Sequence, residues 1–134
     1  MPAHRTGPRL ALVAGIIACS SAFSCTTVAS TGDRAEVDRL ELEARAIART
    51  DGCNSSSQCR TAPVGAKSCG GPRTYLVYCV ATTDSVALFR KLAELEAAEK
   101  KYNEKSGLAS TCEFRMPPGV TASGGSCHEA ARGP

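Results

Sequence analysis

The chain has no tryptophan, and only three tyrosines and three phenylalanines among its 134 residues. So few large aromatics leave a small apolar core, and a small core needs covalent help to stay folded. Long hydrophobic runs are also missing. The stretch Leu10–Ala18 is too short to span a bilayer as a mature helix. The net charge is only +3, with no dense Lys/Arg patch of the kind phosphate binding needs, so nucleic acid is not an expected partner. There is no Cys-x-x-Cys pair and no haem-attachment motif. The last six cysteines are separated by 5, 9, 9, 32 and 14 residues, unlike zinc ribbons or fingers, so neither a metal nor another cofactor is expected. Histidine is scarce as well: His4 and His128 only. His128 stands beside Cys127 in a glycine-bearing tail, a poor place to hold a general base, and the acids lie mostly on two amphipathic stretches. An enzyme is therefore not the expected reading.

What the chain has is cysteine, eight in all. Two lie near the start. "MPAHRTGPR" is a positive n-region, "LALVAGIIA" an apolar h-region, and "CSSAFSC" a run of small residues, the order of a bacterial lipoprotein signal. Cys19, behind Ile16-Ile17-Ala18, matches the pattern around an acylated cysteine well, and Cys25, behind Ala22-Phe23-Ser24, matches less well. Parity favours Cys25. It leaves Cys53, Cys59, Cys69, Cys79, Cys112 and Cys127, which can all pair, whereas Cys19 leaves one over. The expectation is a signal over residues 1–24, lipidation at Cys25, a tether over 25–32 and a folded domain over 33–134. The plain alternative is a cleaved signal and a soluble product. Loss of residues 1–24 removes Arg5 and Arg9, leaving 14 basic against 13 acidic residues. The product is expected in a bacterial envelope, lipid-anchored at the outer membrane, or else periplasmic or extracellular.

Residues 33–50 predict a helix with the stripe Val37, Leu40, Ala44 and Ile47, Thr31 or Asp33 at its start and Gly52 as a C-cap. The stripe is thin, which suggests a loosely docked amphipathic helix. Residues 84–106 predict the longest helix, with Leu88, Leu92, Leu95 and Tyr102 inward, Val86 and Phe89 beside them, Thr83 or Asp84 as N-cap and Gly107 as terminator. Its run "EAAEKKYNEK" reads as a solvated face. Between the helices, 58–64 and 74–80 predict an antiparallel hairpin that sets Cys59 opposite Cys79, near disulfide range, although six cysteines allow fifteen connectivities. "LASTCEFR" (108–115) predicts a strand, "MPPGVTASGGS" a loop flexible at Gly124-Gly125, and "SCHEA" a last short strand. The fold class is α+β: a small disulfide-stabilised domain with an antiparallel sheet of three to four short strands packed on one long helix, plus an N-terminal helix.

The hairpin loop, "GAKSCGGPR", is the candidate recognition element, with Lys67, Ser68, Arg73 and Tyr75 as its candidate contacts. A cysteine-bracketed loop loses little further freedom on binding. Lys67-Ser68, locked by Cys69, could also enter the acidic pocket of a trypsin-like protease. The plainer reading, turn glycines and a solvated lysine, is preferred.

Cys59, Gly65, Lys67, Cys69-Gly70-Gly71-Pro72 and Tyr75-Leu76-Val77-Tyr78 resemble a group of small bacterial exported proteins. These share a G-x-K-x-CGGP loop, a YLVY strand, a charged helix and a cysteine-bearing tail, and many carry lipoprotein signals. The resemblance covers about half the chain. It implies compartment and fold, and no catalytic residue comes with it. The function expected is a non-catalytic binding or structural role in the envelope. The expected contacts are the membrane through the lipid and an envelope protein or ligand.

Overall fold

A computed structural model describes residues 31–131, and the signal 1–24, Cys19, Cys25 and most of the tether lie outside the described residues. The order is α1 (Thr31–Ile47), a 3-10 turn (Ser56–Gln58), β1 (Cys59–Val64), β2 (Thr74–Cys79), α2 (Ser85–Ser106), β3 (Val120–Ser123) and β4 (Ser126–Glu129). Among the described residues no helix is long and apolar enough to cross a membrane.

The helices run antiparallel, as the contacts Asp33–Lys105 at one end and Glu43–Lys91 at the other require. Val37, Leu40 and Ala44 of α1 are buried against Leu88, Leu92 and Leu95 of α2, so the thin stripe docks closely. Small side chains permit that approach. Thr31 and Gly32, assigned to the tether, are helical, and Asp33 sits in the first turn where its carboxylate meets the helix dipole. The helix stops at Ile47, and Gly52 is not its cap. Gly52 instead has φ +88° and lies so close to Thr82 that a Cβ would stand 2.5 Å from Thr82 Cγ2. Asp84 caps α2 by accepting from the Ala87 amide, and left-handed Gly107 ends it.

β1 and β2 pair in the expected register, with Cys59 opposite Cys79 and Ala62 opposite Leu76. Period-two alternation divides the hairpin. Ala62, Val64, Leu76 and Tyr78 face the helices, where Tyr78 meets Phe89 edge-on at 6.3 Å between centroids. Cys59, Val77 and Cys79 face the other way, toward Cys53, Cys127, Val120 and Ala122. The molecule thus has three layers: helix pair, first hairpin, second hairpin.

The strands form two separate two-stranded sheets, not one sheet of three to four. Segment 49–52 bridges the two hairpins. The Cys79 amide donates to the Arg49 carbonyl at 2.7 Å and the Cys127 amide to the Thr50 carbonyl at 2.8 Å. The chain leaving α1 therefore accepts a hydrogen bond from each hairpin. Two further expectations change. Residues 108–115 form no strand. Residues 120–123, expected as loop, form β3, and Gly124-Gly125 is the tight turn of a hairpin with φ +58° and +77°, the geometry of a two-residue primed turn.

All six downstream cysteines are bonded: Cys53–Cys79, Cys59–Cys127 and Cys69–Cys112. Cys59 and Cys79, opposed in the hairpin as the pairing predicts, are not bonded to each other. Side chains on a strand stand roughly perpendicular to the sheet. Both sulfurs therefore project into the second layer, where Cys53 and Cys127 arrive from other segments to meet them.

Candidate binding surface

The hairpin loop is built inward from its base. The Ala66 amide donates to Glu99 Oε2 at 2.8 Å, Arg73 Nε donates to Glu99 Oε1 at 2.8 Å, and Asn103 Nδ2 donates to the Ala66 carbonyl at 2.9 Å. Gly65, at φ +69°, passes so near that carboxylate that a Cβ would lie 2.0 Å from Glu99 Oε2. Glu99 is only 3% exposed, so the charged run of α2 is not a uniformly solvated face. Arg73 also pairs with Glu41 of α1. Burial pushes the Glu41 carboxyl up, but hydrogen bonds from Arg73 and Arg45 outweigh it and hold the group below the usual carboxylate range. Burial likewise pulls Arg73 down, and the two carboxylates outweigh that and raise it. Arg73 is a partly buried strut between two helices.

The loop tip is closed on itself. The Lys67 amide donates to the Gly71 carbonyl at 3.0 Å, and the Gly70 amide donates to the Lys67 carbonyl at 2.9 Å. The Lys67 ammonium donates to the Glu113 carbonyl. Lys67 is thus half-buried and engaged, while Ser68 is exposed.

Three side chains from this region fasten the segment that follows α2. Cys69 bonds Cys112, Lys67 holds the Glu113 carbonyl, and the Tyr75 hydroxyl donates to the Arg115 carbonyl at 3.2 Å. Residues 112–115 are therefore gripped through the main chain and one disulfide. The apolar side chains of the segment stay outside: Phe114 is 80% exposed, Met116 72% and Leu108 54%. A groove of about 940 Å³ runs between Tyr75, Phe114, Met116, Pro117 and Glu129.

Of the candidate contacts, Lys67 and Tyr75 are brought together on this segment, Arg73 turns into the helix layer, and Ser68 faces a small cleft beside Asn103 and Glu104. Sequence reasoning missed Glu99, although it continues the stripe Leu88, Leu92, Leu95 at helical spacing. It also missed the exposed pair Phe114, which β-propensity placed in a strand, and Met116, which was assigned to the following loop.

The other chemistry-bearing groups are accounted for by structure. The sulfurs of Cys53, Cys59 and Cys127 lie within 4.8 Å of one another because two disulfides are neighbours. His128 is exposed on β4, its Nε2 3.3 Å from the Ser123 carbonyl. No known protein family, curated protein or solved structure matches the chain.

Proposed function

We propose that this chain is a bacterial envelope lipoprotein, acylated at Cys25 after loss of residues 1–24, whose domain has a non-catalytic binding role. The surface that serves this role is the 108–118 segment with Tyr75. The observation that carries the reading is the exposure of Phe114 and Met116 on a segment clamped by Cys69, Lys67 and Tyr75. Exposed apolar side chains on a clamped main chain suit recognition, since their ordering cost is met before a partner arrives. Complete pairing of the six downstream cysteines supports an oxidising compartment. It also supports Cys25 as the anchor, because an anchor at Cys19 would strand Cys25 without a partner.

The protease-inhibitor alternative has less support. An inhibitory lysine must offer an extended, unengaged main chain, whereas both main-chain groups of Lys67 are used in its own turn. It predicts stoichiometric inhibition of a trypsin-like enzyme that Lys67→Ala abolishes.

The intact mass of the mature protein from a membrane fraction, with and without reduction and thiol alkylation, tests the envelope reading. A tri-acylated chain beginning at Cys25, with six thiols appearing only on reduction, is the expected result. An unacylated chain overturns it. The binding half predicts adducts from a photo-crosslinking residue at position 114 and none from one at Val86, on the first turn of α2.

A further inference from the structure

The exposed apolar segment lies at the end of the molecule where the chain enters from its anchor. Asp33 at the start of α1 pairs with Lys105 at the end of α2 at 3.0 Å. Arg34 lies 5.8 Å from the centroid of the Tyr102 ring, and it lines one cleft with Leu108, Glu113 and Arg115. The start of α1, the end of α2 and the clamped segment therefore share one end. Val86, also 81% exposed, is at the other end of α2.

Chain length then constrains orientation. Thr31 follows Cys25 by six positions. At full extension six residues span about 20 Å. If Cys25 carries the lipid, the start of α1 cannot stand farther than that from the bilayer, and Leu108 and the stretch from Glu113 to Arg115, which share the cleft with Arg34, are held near that start. From these observations we propose that the Leu108–Met116 segment docks on the bilayer that holds the anchor, with Phe114 and Met116 entering the interface. The occupant of this surface is lipid. The inference rests on acylation at Cys25, and it names the partner of the binding surface argued above.

The chemistry fits an interfacial contact. Apolar side chains enter the headgroup boundary while cations stay at phosphate depth. Arg115 stands between Phe114 and Met116, and Lys101 lies near the end of α2; neither has an ion-pair partner among the described residues. The clamp matters here. Because Cys69, Lys67 and Tyr75 hold the main chain at residues 112, 113 and 115, Phe114 is kept from folding back onto its own domain.

The absence of tryptophan makes the test direct. Full-length mature protein carrying Phe114→Trp, Met116→Trp or Val86→Trp is placed in vesicles of phosphatidylethanolamine and phosphatidylglycerol with brominated acyl chains. Circular dichroism confirms that each variant folds, and intact mass confirms its acylation. The emission at 114 and 116 is expected to shift to the blue and be quenched at least about twofold more than at 86. Acylated protein whose three positions are equally unquenched overturns lipid docking and leaves the anchor standing. So does acylated protein whose crosslinks from 114 fall on a protein. An unacylated mass overturns both readings, since the tether argument loses its fixed end.

Discussion

Neutralising Glu99 alters three relationships at once. Its two oxygens accept from the Ala66 amide and Arg73 Nε, and its charge faces the guanidinium. Glu99→Gln keeps the shape but turns one acceptor into a donor, leaving one of those two donors unmet. A buried group left unsatisfied costs about 1–3 kcal/mol, which the urea midpoint at constant slope reads directly. The exposed pairs of Arg39 with Glu36 and Glu43 are screened by water, and severing them should leave the midpoint near that of the parent. Glu41 supplies a pH signature. Its folded carboxyl is held below the unfolded value of 4.5. A depressed folded value stabilises the domain above the unfolded value, and that contribution disappears as pH falls from about 4.5 through the folded value. Urea midpoints should therefore drop across that acid window in the parent and drop less in Glu41→Gln. At this scale the sequence was partly legible. The stripe that named Leu95 also reaches Glu99, but a carboxylate is taken for a surface residue until its partners, Ala66 and Arg73, are seen to come from a distant hairpin.

Strand pairing depended on turns more than on propensity. The first hairpin was legible because its period-two pattern is strong and Gly70-Gly71-Pro72 breaks it cleanly; the observed register joins Arg60 to Tyr78 and Val64 to Thr74. The second was not. Ala122 and Ser123 are weak strand formers, and the decisive feature is a pair of glycines that both adopt positive φ. Residues 108–115 erred in the other direction. Their β-branched and aromatic residues favour a strand, but Glu113 and Arg115 give their carbonyls to side chains, Lys67 and Tyr75, and not to a ladder. The turn is open to test. Alanine in the left-handed region costs about 1–2 kcal/mol per residue, so Gly124→Ala and Gly125→Ala should each lower the urea midpoint by that order, whereas Gly124→Asn should lower it less.

Across the molecule the three disulfides occupy unequal environments. Cys53–Cys79 and Cys59–Cys127 are buried together between the hairpins, while Cys69 and Cys112 are exposed. Access of a thiolate governs exchange. Graded reduction should open Cys69–Cys112 first, with little change in far-UV circular dichroism, and the interior pair only with unfolding. Alkylation followed by peptide mass mapping orders the events, and simultaneous loss of all three bonds would refute it. Each bond typically contributes about 2–4 kcal/mol, so complete reduction should unfold a domain with so modest an aromatic content. The α+β class was legible from the spacing of apolar residues, and the need for cross-links from composition. Connectivity was not, because it is decided by which segments meet in the second layer.

The opposition of Cys59 and Cys79 also bears on how the protein matures. Cys53 and Cys79 are 26 positions apart, Cys59 and Cys127 are 68 apart. A chain exported from its N-terminus exposes the first three of these thiols to oxidants before the fourth has crossed. During that interval the strand register offers Cys59 the wrong neighbour at close range. If the chain is exported as proposed, its biogenesis calls for an editing oxidoreductase as well as an oxidising one. In a host lacking disulfide isomerase, peptide maps should show a Cys59–Cys79 species in which Cys53 and Cys127 are either both free or joined to each other. An identical yield of native pairing in that host would mean that the first hairpin waits for the second before it zips.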